Sequence, residues 1–361
     1  MKIVFLSKRH PQGKDLLTRP YGRFFHIPRL LAEMGHEVHL LLLSYRKQPT
    51  VDTLQFGIHW HSRSLRDVGN SSYWSTACAL TDSIKPDWTV GFSDTYFGIL
   101  AVSLGQRFAC RSLIDAYDNY ESYIPWCAPL HFLWRRTISQ AAAVTAAGPQ
   151  LAALLKQSRP GKPVYVIPMA ADHGIFIPQD KTDCRLKLNL PAEKKIIGYG
   201  GSIYRNRGME TLFDAHDILK DMGCDIDLVL TGRKEKKIAL PSSAKWLGYL
   251  RDDQIPTFLN CLDVATIINQ FSRFGNYSYP VKLYEAMSCQ IPVVATDTPS
   301  VNWILKSDNR FLASPDDPHD LADKIRKVLT LGRVDYGEQN DWGKSCKAFE
   351  EVLLRQKPIN I

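Results

Sequence analysis

Short apolar segments alternate with amphipathic segments along most of the chain. The first apolar segment, KIVFLS at residues 2–7, ends in polar residues, which is typical of a buried parallel strand. A helix-like segment follows and stops at Gly35, and a second apolar segment runs from Glu37 to Leu43. Strand, helix and strand in this order predict a βαβ unit.

The same alternation continues through the rest of the first half. Apolar segments at 58–64, 86–94 and 111–118 predict further strands, and the segment AAAVTAAGPQLAALLKQ predicts a strand that passes into a helix. Pro149 suits the first position of that helix, where a backbone N–H is not needed. Residues 162–181 predict a last strand followed by an irregular connection, and we place the domain boundary there.

A second series of strands and helices begins at KKIIGYGGS, residues 194–202. Two such series predict an α/β protein with two Rossmann-like, doubly wound parallel-sheet domains, at 1–168 and 169–340. The last helix, within 340–361, is expected to pack back on the first domain. Ligands of such sheets bind at the carboxyl ends of the strands, so we expect the two domains to face a central cleft that holds the site.

Composition and cysteine usage indicate a protein of the reducing cytoplasm. The chain of 361 residues has no uncharged apolar stretch of 18 residues, which disfavours a membrane-spanning helix. The N-terminus acquires charge too early for a signal peptide. The eight cysteines are scattered, with no CxxC pair and no zinc-like spacing.

The positive charge is concentrated in the first half of the chain. Residues 1–165 hold 19 Lys and Arg against 11 Asp and Glu, whereas residues 166–361 hold 26 of each. A basic half predicts an anionic partner, such as phospholipid headgroups, a phosphorylated acceptor or nucleic acid, and the alternative is a solvated basic face. We find no nucleic-acid recognition motif, so no nucleic-acid partner is predicted.

The segment GYGGSIYRNRGMETL, residues 198–212, is a candidate phosphate-binding loop. A strand ends in glycines, and a basic loop with Arg205 and Arg207 leads into a helix that starts near Gly208. Glycine permits close backbone approach, and a helix N-terminus with arginines favours an anion. The spacing matches neither a P-loop nor the GxGxxG turn that an NAD-dependent dehydrogenase needs. The alternative is a glycine turn with surface arginines.

A second informative segment, YPVKLYEAMSCQIPVVATD at 279–297, places Glu285 early in a helix that leads into a buried strand. Together with LLAEMGHEVHLL, VIPMAADHGIF and GSIYRNRG, it resembles the motifs of the family 4 glycosyltransferases of the two-Rossmann GT-B fold. The four segments lie in both predicted domains, so the resemblance extends over nearly the whole chain.

The resemblance implies roles for individual residues. Glu285 falls on the glutamate that accepts hydrogen bonds from the nucleotide ribose, and Arg207 falls on the lysine that binds the diphosphate and stabilises the leaving group. The other donor-binding positions that it implies are Gly22, Gly201, Ser202, Arg205, Tyr279, Val281 and Lys282. Gly22 lies in a long loop with Lys14 and Arg19, which suit a phosphorylated acceptor. An ordinary helix N-cap is the alternative for that glycine.

Three departures from the family pattern bear on substrate choice. Tyr277 stands where the first glutamate of the Glu-x7-Glu pair is usual, and Ser202 stands where an arginine is usual. Met169 and Ala170 replace the usual Asn-Gly of the linker. The sugar of the donor is therefore left open, and a degenerate binding subunit is an alternative.

Acidic residues at strand ends are candidates for binding or activating the acceptor. We choose Asp118 to orient or deprotonate an acceptor hydroxyl, with Asp115, Glu121 and Asp94 as neighbouring candidates. Helix capping and solvated charge are the alternatives for all four. Asp297, at a later strand end, is a candidate contact of the nucleotide base.

Two further segments concern membranes and metals. Residues 121–140 combine tryptophan with Arg135 and Arg136, which predicts contact with an anionic membrane, a core segment being the alternative. Asp225-x-Asp227 precedes a strand instead of ending one, so we interpret it as strand-entry charge and predict no metal site.

The resemblance implies a glycosyltransferase that moves a sugar from a nucleotide diphosphate sugar to a glycan or lipid-linked acceptor in bacterial surface polysaccharide assembly. It further implies retention of configuration, no metal and no cofactor, with the nucleotide sugar as co-substrate. We expect a cytoplasmic protein, peripheral on the inner membrane face. A 2-epimerase-like enzyme of the same fold and a nucleotide-sugar-binding subunit without activity are the alternatives.

Overall fold

The computed structural model describes residues 1–204 and 207–355, with the side chains of residues 67–72 excepted. The chain forms two compact units. The first comprises Met1–Met169 and the chain from Trp342 onward, and the second comprises Ala170–Asp341. The acceptor-binding and donor-binding roles of the two domains stay predictions.

The first unit contains an eight-stranded sheet in the order β3-β4-β2-β1-β5-β6-β7-β8. Every neighbouring pair is parallel except β3 and β4. The central strands are apolar runs buried on both faces, as the sequence predicts. The strands are β1 (Lys2–Lys8), β2 (Glu37–Ser44), β3 (Val51–Gln55), β4 (Ile58–Ser64), β5 (Trp88–Gly91), β6 (Arg111–Ala116), β7 (Ala143–Ala146) and β8 (Tyr165–Val166).

Among the described residues, five helices of this unit each follow one of its strands. They are α1 (Arg23–Glu33), α2 (Leu65–Ile84), α3 (Thr95–Arg107), α4 (Ala128–Gln140) and α5 (Pro149–Lys156). Close helix packing depends on glycine at one point, because a Cβ at Gly98 of α3 would lie 2.6 Å from the Trp134 ring of α4. The buried Trp134 thereby holds α4 against α3, and the opposite side of α4 is left exposed.

The second unit contains a six-stranded sheet in the order β11-β10-β9-β12-β13-β14, and all of its pairs are parallel. The strands are β9 (Lys195–Gly200), β10 (Ile226–Thr231), β11 (Ala244–Trp246), β12 (Val264–Ile267), β13 (Val293–Thr296) and β14 (Leu312–Ala313). The helices are α6 (Lys181–Lys187), α7 (Met209–Asp221), α8 (Ile255–Asn260), α9 (Val281–Ser288), α10 (Pro299–Ile304) and α11 (Pro318–Val328). The two parallel-sheet α/β domains predicted from the sequence are confirmed.

The last described helix, α12 (Trp342–Arg355), belongs to the first unit. Trp342 stacks on His26 of α1 with ring centroids 5.2 Å apart, and Phe349 stacks on Phe5 of β1 at 6.3 Å. The Ser345 hydroxyl donates to the Pro168 carbonyl at 2.9 Å. The chain therefore enters the second unit after β8 and returns to complete the first.

Candidate functional site

The carboxyl ends of β9 and β10 approach each other closely in the second unit. Gly232 follows β10 at φ +127°, and a Cβ there would lie 1.8 Å from the Gly201 carbonyl oxygen. The Gly201 amide in turn donates to the Thr231 carbonyl at 2.9 Å. Only a residue without a side chain fits at Gly232, and the glycine turn after β9 is thereby fixed.

The N-terminus of α9 meets this glycine turn. Lys282, the second residue of the helix, donates from its ammonium group to the Gly200 carbonyl. A Cβ at Gly201 would lie 2.9 Å from Lys282 Nζ and 2.7 Å from the Tyr199 hydroxyl, so a larger residue there would displace both groups. A cation and the positive end of a helix dipole consequently lie at the carboxyl end of β9.

Arg207 follows in the loop between β9 and α7. Its guanidinium lies 3.5 Å from Asn269 Oδ1 and 5.0 Å from the centre of the Phe274 ring. Burial raises the pKa of the Tyr199 hydroxyl, and the Arg207 charge acts on that pKa in the opposite direction. Arg207 is therefore held on two sides by residues of the connection that follows β12.

Glu285 lies one turn after Lys282 on α9, half-buried. Residues three and four positions apart are neighbours on a helix surface, so Val281, Lys282 and Glu285 share one side of α9. The opposite side is buried through Leu283 and Met287. A carboxylate and an ammonium group are therefore carried on the same side of α9, and the ammonium group reaches the end of β9.

The other predicted donor-binding residues differ in their surroundings. The Ser202 carbonyl accepts from the Tyr199 hydroxyl at 3.1 Å, and Tyr279 is buried with its ring edge-on to Trp303. Arg205 lies outside the described residues.

Asn269, which the sequence analysis does not single out, belongs to the same edge. It follows β12, the neighbour of β9, and its amide N–H donates to the Thr296 hydroxyl at 3.2 Å. The residue is 6% exposed, and Nδ2 has no hydrogen-bond partner in the described part of the chain. Its position just past a strand's carboxyl end is the only signal that the sequence offers.

In the first unit, Gly22 caps α1. Its φ is +57°, and its carbonyl accepts from the amides of Phe25 and His26 at 3.1 and 2.9 Å. The preceding loop is folded on itself, since the Lys14 ammonium lies 4.8 Å from the centre of the Tyr21 ring. Both the capping and the ligand-binding interpretation of Gly22 remain compatible with this geometry.

The acidic candidates of the first unit differ in their surroundings. Asp115 is completely buried and accepts from the Arg23 guanidinium at 2.5 and 2.7 Å, so it holds the fold together. Glu121 pairs with Arg135 at the surface. Asp94 caps α3 by accepting from the Tyr96 amide, as its alternative interpretation predicts.

Asp118, the residue chosen for the acceptor, lies just after β6 and is 9% exposed. It accepts from the Tyr123 hydroxyl at 2.7 Å. Burial and the nearby Asp118 charge both raise the pKa of Tyr123, so the phenol keeps its proton and remains a donor to the carboxylate. Asp118 is therefore oriented by a neutral hydroxyl at a strand end.

Two further acidic positions are engaged locally. Asp225 and Asp227 lie at the entrance of β10, and each pairs with Lys194 at 3.2 Å. Asp297 accepts from the Asn302 side chain at 2.9 Å.

Solved structures with the same architecture match the chain over nearly its full length. The HepE protein of Anabaena, in complex with UDP and glucose, covers 98% of this chain and 100% of its own with a TM-score of 0.74 at 14% identity. A sucrose-phosphate synthase from Thermosynechococcus elongatus covers 99% and 94% with a TM-score of 0.72 at 16% identity. The chain has the GT-B glycosyltransferase fold. At such identities the likeness establishes the fold alone.

The second unit of this GT-B chain also matches a family model in sequence. The model is described as "Glycosyl transferases group 1" and covers residues 194–331, which include Arg207, Lys282 and Glu285. Residues 194–331 of the second unit are thus similar in sequence to the group 1 glycosyl transferases. The assignment to the GT-B glycosyltransferases made from the sequence motifs is confirmed, and family 4 stays a prediction.

Two curated relatives extend the comparison to named proteins. The capsular polysaccharide biosynthesis glycosyltransferase CapM of Staphylococcus aureus is 24% identical over 147 residues, 37% of this chain. The putative teichuronic acid biosynthesis glycosyltransferase TuaC of Bacillus subtilis is 23% identical over 150 residues, 41% of this chain. The match spans 36% of the length of each relative.

Proposed function

We propose that the protein transfers a sugar from a nucleotide diphosphate sugar to a glycan or lipid-linked acceptor in the assembly of a surface polysaccharide. The observation that carries the proposal is that Lys282, at the start of α9, donates to the Gly200 carbonyl at the end of β9, while Arg207 of the loop after β9 donates to Asn269 at the end of the neighbouring strand β12. Two cations and a helix N-terminus at one strand edge suit a diphosphate. The UDP and glucose bound to HepE support the donor, and the biosynthetic roles for which CapM and TuaC are named support the acceptor.

The proposed chemistry follows from charge development. When the bond between the anomeric carbon and the diphosphate breaks, negative charge grows on the phosphate oxygens, and fixed cations stabilise that charge more than they stabilise the ground state. Arg207 and Lys282 serve in this role, and Glu285 accepts hydrogen bonds from the ribose hydroxyls. We further propose retention of configuration, front-face attack assisted by the donor phosphate, and no need for a metal. Asp118 of the first unit is proposed to orient the acceptor hydroxyl.

The proposed membrane contact has a defined surface in the first unit. Trp126 is 82% exposed and Phe132 is 71% exposed, and Leu133, Arg135 and Arg136 are exposed beside them. The sequence has no acidic residue from 122 to 171. Exposed aromatic rings flanked by arginines suit the headgroup region of an anionic bilayer. The contact is proposed as peripheral, through this surface alone. No helix in the described ranges is long and apolar enough to span a bilayer.

Removing the two most exposed rings of this surface should weaken binding to lipid. We expect Trp126→Ser/Phe132→Ser to lower partitioning into vesicles with about 30% phosphatidylglycerol by about tenfold or more, because the rings no longer enter the interface. Flotation of protein with vesicles measures the effect. The control Leu54→Ser/Leu186→Ser removes two other exposed apolar side chains and should bind like the wild type. Equal flotation of both double variants would contradict the proposed surface.

Nucleotide binding tests the donor site. Thermal shifts with UDP, GDP, dTDP and ADP sugars should identify one nucleotide that stabilises the wild type, and Glu285→Ala should weaken its binding about tenfold to a hundredfold because two hydroxyl donors lose their acceptor. The control Glu351→Ala removes an exposed glutamate from α12 of the first unit and should leave the shift unchanged. Equal shifts in the wild type and Glu285→Ala would argue against the ribose role.

One departure favours a second candidate function. The half-buried Tyr277 replaces the glutamate that the resemblance places beside the donor sugar, which suits a subunit that binds nucleotide sugars without transferring them. Such a subunit would bind the nucleotide and release no product with any acceptor. Turnover with an added acceptor excludes it, whereas sugar modified on the nucleotide itself would identify an epimerase.

A further inference from the structure

The side-chain amide of Asn269 is a buried donor whose N–H meets no acceptor within the described part of the chain. Asn269 is 6% exposed as a residue, and the unpaired atom is Nδ2. An unpaired buried N–H is costly, so such groups in native proteins are usually satisfied by another protein group, a ligand or water. The unpaired amide therefore indicates a missing acceptor at this point of the strand edge.

The orientation of the amide is fixed by its neighbours. Oδ1 faces the Arg207 guanidinium at 3.5 Å, so the reversed amide would place two donors against each other. The backbone N–H of Asn269 is bonded to Thr296 on β13, which anchors the residue to the sheet. The oxygen supports the arginine, and the nitrogen is left for a different group.

The residues around Asn269 indicate the chemical type of the acceptor that its Nδ2 would bind. Arg207 is held between Asn269 and the Phe274 ring, and Gly208, which caps α7, would bring a Cβ within 3.2 Å of the Gln270 side chain. The loop before α7 thus packs directly on the loop that carries Asn269. A cation and a neutral donor in adjacent positions suit an anionic oxygen with two lone pairs to satisfy.

We propose that Asn269 Nδ2 donates a hydrogen bond to a phosphoryl oxygen of the donor's diphosphate, while Asn269 Oδ1 orients Arg207 toward the same group. The inference rests on the proposed function and adds to it a neutral donor that the motifs do not contain. It makes Asn269 a residue that recognises the diphosphate and not the nucleoside.

Two substitutions separate the two halves of the side chain. Asn269→Asp keeps an oxygen for Arg207 and replaces the N–H donor by an acceptor, whereas Asn269→Ala removes both. We expect Asn269→Ala to weaken binding of the best ligand among UDP, GDP, dTDP and ADP by about tenfold to a hundredfold, which is the range for a hydrogen bond to a charged group. Asn269→Asp should weaken it at least as much, because a carboxylate faces the phosphate.

Isothermal titration calorimetry with the nucleoside diphosphate and with its parent nucleoside measures whether each substitution affects binding of the phosphates or of the nucleoside. Binding of the nucleoside should be unchanged in both variants, since the proposed contact is to phosphate alone. Asn276→Ala is the control, because Asn276 lies in the same connection between β12 and β13. Among the described residues its unpaired atom is the acceptor Oδ1 and not the donor Nδ2. This variant should leave the diphosphate affinity within about twofold of the wild type.

The outcomes distinguish this inference from the function on which it rests. If the wild type binds none of the four diphosphates, the proposed function fails. If it binds one of them and Asn269→Asp binds it equally well, the function stands and the inference is overturned. An equal loss for diphosphate and nucleoside would also overturn it, because that pattern indicates a structural role in which water satisfies Nδ2.

Discussion

Arg207→Ala is expected to lower the rate of sugar transfer about 100- to 1000-fold. Removal of one preorganised donor from a developing anion typically costs this much, and the guanidinium of Arg207 is already held by Asn269 and Phe274 before any substrate binds. The loss should fall mainly on kcat, because the charge that the arginine stabilises is largest in the transition state. Steady-state kinetics on the best donor from the nucleotide panel measure the effect.

Arg310→Ala is the matched control for this prediction. Arg310 also lies over an aromatic ring, Phe311 at 4.9 Å, and pairs with Asp308 at the surface of the same unit. It should retain near wild-type kcat. A comparable loss in both variants would attribute the effect to the general charge of the unit and remove Arg207 from the proposed chemistry.

Asp115→Ala is expected to destabilise the first unit by about 3–5 kcal/mol. The ion pair between Arg23 and Asp115 is fully buried, and the carboxylate also accepts from the Thr145 hydroxyl at 2.5 Å. Without the carboxylate, a guanidinium charge remains in the interior with too few acceptors, which is the costly way to break such a pair. For a unit of this size the melting temperature should fall by about 10 °C.

Glu121→Ala serves as the control for the buried pair. Its partner Arg135 is bound by two hydrogen bonds at 2.8 and 2.6 Å, but the arginine is more than half exposed. Surface pairs of this kind contribute about 0–1 kcal/mol, so the melting temperature should fall by no more than about 3 °C. Chemical denaturation of both variants gives the free energies, and similar values for the two would contradict the burial argument.

Much of the fold could be predicted because the parallel strands are continuous apolar runs. These runs are local features of the chain, and glycines or prolines separate them from the helices. The antiparallel edge strand β3 is absent from the sequence prediction, since its residues are largely exposed and only its pairing with β4 defines it. Helix α2 is absent from the prediction too, because it is rich in Ser, Thr and Asp, which have low helix propensity. In the structure, packing helps to stabilise this helix through the fully buried Tyr73, whose hydroxyl donates to the Leu41 carbonyl.

Residues of the candidate donor site could be predicted from the sequence where they belong to a short local motif. Arg207 follows a glycine-ended strand and Glu285 lies early in a helix, and both patterns lie within a few residues. Asn269 could not be found in this way, because its relation to Arg207 arises from the adjacency of β9 and β12 across 62 residues. Asp115 is a reasonable candidate for chemistry from its strand-end position, and only the contact with Arg23, 92 residues away, shows its structural role.

The return of α12 to the first unit bears on how the protein emerges from the ribosome. His26 and Phe5 belong to the earliest synthesised elements, yet their stacking partners Trp342 and Phe349 are made about 300 residues or more later. The second unit, by contrast, is one uninterrupted stretch, Ala170–Asp341. During translation the second unit can therefore fold completely before α12 has been made. The first unit meanwhile exposes the apolar surface that α12 later covers, and such a surface on a nascent chain is a binding site for chaperones.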